Sequence, residues 1–104
     1  MKIAITSEGN TLNAQIDSRF GRCSYFAFYD TETKQTEFLE NPGKDASGGA
    51  GPAAVQFVAQ QGAKKIIAGE FGGKTVPLFQ SLSIQMVSES GKTIAEVLEQ
   101  LQMY

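Results

Sequence analysis

The chain predicts an α/β fold, a sandwich built on a five-stranded mixed sheet of order 3-2-1-4-5. Three observations lead there. Strand-like runs come first, at Lys2–Thr6, Ser24–Tyr29 and Gln35–Glu40, and two more, Ala63–Ala68 and Ile84–Val87, then alternate with helix-like segments. The element order is therefore β-β-β-α-β-α-β-α. Right-handed crossovers make strands one, four and five parallel, with strand two antiparallel between one and three.

Lys2-Ile3-Ala4-Ile5-Thr6 is a β-branched run ending in the turn cluster Ser7-Glu8-Gly9-Asn10, the pattern of a strand buried on both faces. A long connection, Thr11 to Cys23, follows. Ser24–Tyr29 is dense in aromatics, and the polar turn Asp30-Thr31-Glu32-Thr33-Lys34 returns the chain as the more polar Gln35–Glu40, so the pair is a hairpin with an edge strand outside. Alternation on a central strand assigns Tyr25, Phe26, Phe28 and Tyr29 to the core.

Asn41 to Ser47 is a loop containing Pro42 and Gly43. Pro52 suits the first turn of a helix and Gly62 its C′ position, which brackets a helix near Pro52–Gln61. After the short buried strand Ala63–Ala68 comes a helix near Val76–Leu82, where Pro77 is tolerable only near the start. Ile84–Val87 is the fifth strand. Thr93-x-x-Glu96 is a capping box, and Ile94, Val97, Leu98 and Leu101 recur at i, i+3, i+4 and i+7, so an amphipathic helix covers Ile94–Leu101. With no repeat, low-complexity tract or boundary, residues 1–104 read as one domain.

Composition narrows the function. A chain of 104 residues buries roughly two-thirds of its unfolded surface and folds without staples. Its single cysteine, Cys23, cannot close an internal disulfide and suits a reducing compartment. The apolar part of the N-terminus is too short for a signal peptide and no stretch approaches a membrane span, so the expected location is the cytoplasm, away from membranes. Nine Lys and Arg against eleven Asp and Glu give a charge of −2 with no basic block, which argues against nucleic acid as a partner. The absence of histidine removes the commonest general base and metal ligand together.

Two glycine-rich segments carry the functional signal: Ser47-Gly48-Gly49-Ala50-Gly51-Pro52 and Gly69-Glu70-Phe71-Gly72-Gly73-Lys74-Thr75, each just before a helix. Glycine clusters mark backbone that takes unusual dihedrals or approaches something closely, and helix N-termini attract anions. Ordinary turns and caps explain either segment alone equally well. The predicted topology brings both segments, the Ser7–Cys23 connection and the Ser88–Lys92 turn to one sheet edge, where all three helices begin beside Arg19, Arg22 and Cys23. Ligands in open parallel sheets bind at that carboxyl edge. Arg19 and Arg22 are expected to contact an anion there, and to favour the Cys23 thiolate; a small buried hydrophobe is the alternative for Cys23.

Two catalytic motifs fall short. Ala68-x-x-x-x-Gly73-Lys74-Thr75 resembles a P-loop with Ala in place of Gly, but the later strand Ile84–Val87 carries no Asp for magnesium, so an anion-binding helix start is favoured over nucleotide hydrolysis. Two-metal nuclease chemistry needs clustered acids, whereas Asp17, Asp30, Asp45 and Glu70 belong to separate segments.

Ile3-Ala4-Ile5-Thr6-Ser7 with Leu12 and Ile16-Asp17, Arg19-Phe20-Gly21-Arg22-Cys23-Ser24-Tyr25-Phe26, Gly49-Ala50-Gly51-Pro52-Ala53-Ala54 and Ile66-Ile67-Ala68-Gly69 together resemble the dinitrogenase iron–molybdenum cofactor biosynthesis family over nearly the whole chain. That resemblance implies a three-layer α/β/α sandwich of the ribonuclease H-like kind and, in nitrogenase-associated members, non-catalytic carriage of an iron–sulfur or iron–molybdenum cluster, with cofactor-assembly proteins as partners; this chain looks like one of the family's small stand-alone members. A relative, the orange protein, binds a molybdenum–copper sulfide cluster. The histidines available as ligands in cluster carriers are missing here, so only Cys23 and carboxylates can coordinate metal. The expected function is a carrier, not an enzyme, that holds an anionic metal–sulfur cluster through Arg19, Arg22, Cys23, Ser47, Gly48, Gly49, Gly51, Gly69, Gly72 and Gly73. A module for a phosphorylated metabolite or nucleotide is the alternative, and a thiol enzyme using Cys23 a further one.

Overall fold

The computed structural model describes residues 1–102, which form one sheet of order β3-β2-β1-β4-β5. β1 (Lys2–Ser7) runs antiparallel to β2 (Tyr25–Asp30) and parallel to β4 (Ala63–Ala68). β3 (Thr36–Glu40) pairs antiparallel with β2 on one edge, and β5 (Gln85–Ser88) parallel with β4 on the other. Both the order and the strand directions are those predicted. Hairpin connection gives the antiparallel half, and helical crossovers give the parallel half.

Period-two alternation divides the core between the sheet's faces. Ala4, Phe26, Phe28, Ile66 and Ala68 join Ala54, Val55 and Val58 of α1 (Ala50–Gln60) and Phe79 of α2 (Val76–Ser81). Ile3, Ile5, Ala27, Tyr29 and Ile67 join Ile94, Val97 and Leu98 of α3 (Ile94–Gln102) on the opposite face. The result is three layers, with two helices on one side and one on the other. Among the described residues no helix is long and apolar enough to cross a membrane.

Several ends differ from expectation for local reasons. α1 begins two residues before Pro52, behind Gly49 in the left-handed conformation at φ 71°. Pro52 is thus the third helical residue, where its missing N–H costs nothing because the first turn's amides lack helical acceptors anyway. Ile84 stays outside β5 because its N–H donates to the Phe79 carbonyl at 3.0 Å and its side chain is buried beside α2. The Thr93–Glu96 box forms as read, with Glu96 N donating to Thr93 Oγ1 at 3.2 Å and Thr93 N to Glu96 Oε1 at 2.9 Å. Hydrogen bonding to the carboxylate from the Thr93 backbone N–H, and then from the Thr93 side chain, holds the Glu96 carboxyl below its ordinary pKa.

Candidate functional site

A groove of about 310 Å³ separates the starts of α1 and α2, lined by Gly49, Ala50, Gly51 and Pro52 on one wall and Gly72, Gly73, Lys74 and Thr75 on the other. Topology alone brings these segments together. β1, β3 and β4 run in the same direction, so the segments leaving their carboxyl ends, including those that open α1 and α2, share one edge.

The glycines in this region do two different jobs. At Gly51 a Cβ would meet Thr75 Cγ2 at 3.0 Å, and at Gly69 it would lie 2.6 Å from Ser18 Cα, so close approach within the protein excludes a side chain. Gly48, Gly72 and Gly73 have nothing within 4 Å of a Cβ position, and their φ lies outside the left-handed region. Neither packing nor dihedral accounts for glycine at those three positions. Gly49 supplies no capping side chain, and Thr75 makes no side-chain cap to α2 because its hydroxyl donates instead to the Gly72 carbonyl at 2.6 Å.

Residues 17–23 flank this groove. Their backbone is tied to the ends of both central parallel strands: Asp17 N donates to Thr6 O, Thr6 Oγ1 to Asp17 O at 2.7 Å, and Gly69 N to Asp17 O at 3.3 Å. Arg19 forms an isolated parallel bridge with Glu70. Phe20 turns inward against Phe79 and Phe71, with ring centroids 5.0 Å and 5.9 Å away. Gly21 then abuts the Gly51 backbone, where its Cβ would stand 3.0 Å from both Cα and N.

Both arginines lie on this rim, each already partnered. The Asp17 carboxylate, only 3 % exposed, receives Arg19 Nε on Oδ1 and Nη2 on Oδ2, both at 3.3 Å, while the Arg19 side chain is 64 % exposed. Hydrogen bonding and charge from Asp17 raise the guanidinium pKa still further. Arg22 Nη1 donates to the carbonyls of Lys44 and Ala46 at 2.9 Å and 2.6 Å, which anchors the loop that leads to Ser47. The positive field of the rim is therefore smaller than a count of its cations suggests.

Of the two readings of Cys23, thiolate and small buried hydrophobe, the structure favours the second. Its side chain is fully buried in the α1/α2 core, and burial pushes the thiol up to about 12, reinforced by the Asp17 charge and opposed by hydrogen bonds from Ser7 and Asn41. The arginines do not create a thiolate, because desolvation of a buried sulfur outweighs cations that are exposed and already paired. A further correction concerns α3, whose N-terminus does not join the site. Its first amides are consumed by Ala14 O, Leu12 O and Thr93 Oγ1, on the far face of the sheet.

Sequence reasoning passed over three organising residues. Asn41, 3 % exposed, donates from Nδ2 to Gly21 O and Cys23 O, both at 3.0 Å, and accepts from Gly43 N at 3.2 Å, stitching the 19–23 and 41–43 segments together. Asp17 orients Arg19, and Thr75 packs against Gly51. The Asp17-x-Arg19 spacing and the Gly-Lys-Thr run were visible signals; nothing local marks Asn41. Among the described residues no three His, Cys, Asp or Glu side chains stand together as a metal-ligand set.

Comparison with known proteins agrees with this architecture. The chain is 31% identical to the apo orange protein of Desulfovibrio gigas, with a TM-score of 0.90 over 98% of this chain and 87% of that one. It is 30% identical, with a TM-score of 0.84 and the same coverage, to a putative NifB protein of Thermotoga solved by NMR. An uncharacterized protein of Methanocaldococcus jannaschii is 28% identical over 102 residues, 95% of this chain and 83% of its own. The model of the dinitrogenase iron–molybdenum cofactor family matches residues 1–104, and the chain belongs to that family.

Proposed function

We propose that the protein is a non-catalytic carrier that holds an anionic metal–sulfur cluster, or a precursor of such a cofactor, at the groove between the starts of α1 and α2. The observation that carries the proposal is the pair Gly72 and Gly73, open to solvent across from Gly49–Gly51 with no internal reason to be glycine. Backbone without Cβ lets amides approach a bulky anion directly. Arg19 and Arg22, with Ser47 and Gly48 on the rim, supply charge and donors, whereas the Gly69 N–H is held by Asp17 O. In this reading the cluster is cargo held as an anion, and Cys23, buried with a protonated thiol, contributes packing more than a metal bond. Membership in a cofactor family supports a cofactor as ligand, and proteins that assemble or receive the cluster are the natural partners.

Lys74 in the groove favours the second reading, a phosphorylated metabolite, since an ammonium beside a helix start is a common phosphate contact. Amide-resolved NMR titration with tetrathiomolybdate and, separately, with inorganic phosphate distinguishes them. The carrier reading expects the 47–51, 69–73 and 19–23 amides to move first with the thiomolybdate and little with phosphate. It also expects the double variant Arg19→Ala, Arg22→Ala to lose more affinity than Cys23→Ser. No shifts at millimolar anion, or complete loss in Cys23→Ser beside near-normal binding in the arginine variant, overturns it.

A further inference from the structure

We infer that Asp17 is a positioning residue for ligand capture, which locks Arg19 so that one edge of its guanidinium is presented to an anion; the inference rests on the anion-binding proposal above. An exposed arginine ordinarily samples many rotamers, and freezing it on binding costs affinity. Here the Asp17 side chain whose carboxylate receives Nε and Nη2 is buried at 3 % exposure, whereas the Arg19 side chain is 64 % exposed. The carboxylate is itself immobile, because Oδ1 also accepts the Arg19 backbone N–H at 2.9 Å and the Asp17 carbonyl is tied to Thr6 and Gly69.

A guanidinium has five N–H groups in a rigid fork. Asp17 occupies the Nε–Nη2 side edge, one bond on each nitrogen. Both Nη1 hydrogens and the second Nη2 hydrogen remain, and one Nη1 hydrogen with that Nη2 hydrogen forms the end edge that grips two acceptor atoms of one anion. The residues beside Arg19 in the chain connect it to both groove walls, through Gly21 against Gly51 and through the Arg19–Glu70 bridge.

The competing role for Asp17 is simple neutralisation, and the two roles predict opposite signs. If Asp17 only cancels the Arg19 charge, Asp17→Asn strengthens anion binding, because a negative group leaves the rim. If Asp17 positions Arg19, the same change weakens binding although the site becomes more positive. Asparagine keeps an oxygen for the Arg19 backbone N–H and Nε, but it removes the charge and sets an NH2 group against Nη2, which loosens the side chain.

The experiment is equilibrium titration of the full chain with tetrathiomolybdate, for the wild type, Asp17→Asn, Arg19→Lys and the double variant, with urea midpoints measured in parallel. Arg19→Lys lies on the surface, so it keeps the fold; it also keeps the charge while losing the fork. Each single variant is expected to weaken binding about three- to tenfold, the size of one charge-assisted contact, and the double variant no more than the worse single. In ligand-free protein the Arg19 Nε–H is expected to exchange with water more slowly in the wild type than in Asp17→Asn, where its acceptor is uncharged and the Nη2 bond is gone. Tighter or unchanged binding by Asp17→Asn, or wild-type affinity in Arg19→Lys, overturns the inference while leaving the carrier proposal standing. A wild-type protein that does not bind the probe overturns both.

Discussion

Replacing Gly69 and Gly73 by alanine separates the glycines that fold this protein from those that serve its groove. At Gly69 the new methyl would lie 2.6 Å from Ser18 Cα and 3.2 Å from Ser18 Cβ and O. Favourable carbon–carbon contact needs about 3.5–4.0 Å, so β4 and the 17–19 segment must part by roughly 1 Å. Both walls are backbone, joined by the Gly69 N to Asp17 O bond, and neither can yield by changing rotamer. Overpacking costs about 1–3 kcal/mol, and rigid walls place Gly69→Ala at the upper end. Reduced freedom of the unfolded chain offsets about 0.4–1 kcal/mol of that. A net loss of about 2 kcal/mol corresponds to a fall in Tm of roughly 8–16 °C for a domain of this size. Gly73→Ala meets nothing within 4 Å, so its stability is expected to stay within about 0.5 kcal/mol of wild type or to rise slightly. Urea unfolding followed by far-ultraviolet circular dichroism measures both, and tetrathiomolybdate titration of Gly73→Ala then reads the functional share. Wild-type stability in Gly69→Ala, or an equal loss in Gly73→Ala, refutes this division of roles.

Three other outcomes follow from particular groups. The Cys23 thiol is raised from 9.0 to about 12 in the folded state, so the unfolded chain loses its proton first as pH rises; its contribution to stability is complete below pH 9 and declines between 9 and 12, by at most about 1.4 kcal/mol per pH unit. Urea midpoints at pH 8 and pH 10 should therefore fall more steeply in wild type than in Cys23→Ala, and parallel slopes would contradict the assigned cause. Tyr29 is fully buried, and its hydroxyl has no hydrogen-bond partner among the described residues. Tyr29→Phe is expected to be neutral or to stabilise by up to about 1 kcal/mol, and a clear loss in a denaturation curve would reveal a partner. Asn41→Ala removes the donors to the half-buried Gly21 O and the buried Cys23 O and leaves both carbonyls without them; a loss of about 2–4 kcal/mol is expected, and a loss under 1 kcal/mol in the same assay would show that the two loops are held otherwise.

Strand order, layer count and the capping box of α3 were legible because each depends on local pattern plus a handedness rule. The coming together of both glycine segments on one rim was legible for the same reason. The state of individual site groups was not. Arg19, Arg22 and Cys23 stand close in sequence, which suggested two cations acting on one thiol; in the folded chain Phe20 and Cys23 turn into the core, while Arg19 and Arg22 are exposed. The bridging role of Asn41 gave no local signal, since its Nδ2 donates to carbonyls 18 to 20 residues away in sequence.

Sequence alone determined which segments form strands and helices and which edge of the sheet collects the glycines, because hydrophobic period, turn chemistry and crossover hand act over short spans of chain. Tertiary structure alone decided which glycines are forced by packing and which are free, whether Cys23 is a thiolate, and what each arginine holds. Those properties depend on the dielectric and the partners at a point in space. Burial of the sulfur, the fixed carboxylate of Asp17 and the carbonyls of Lys44 and Ala46 exist only once distant segments have packed.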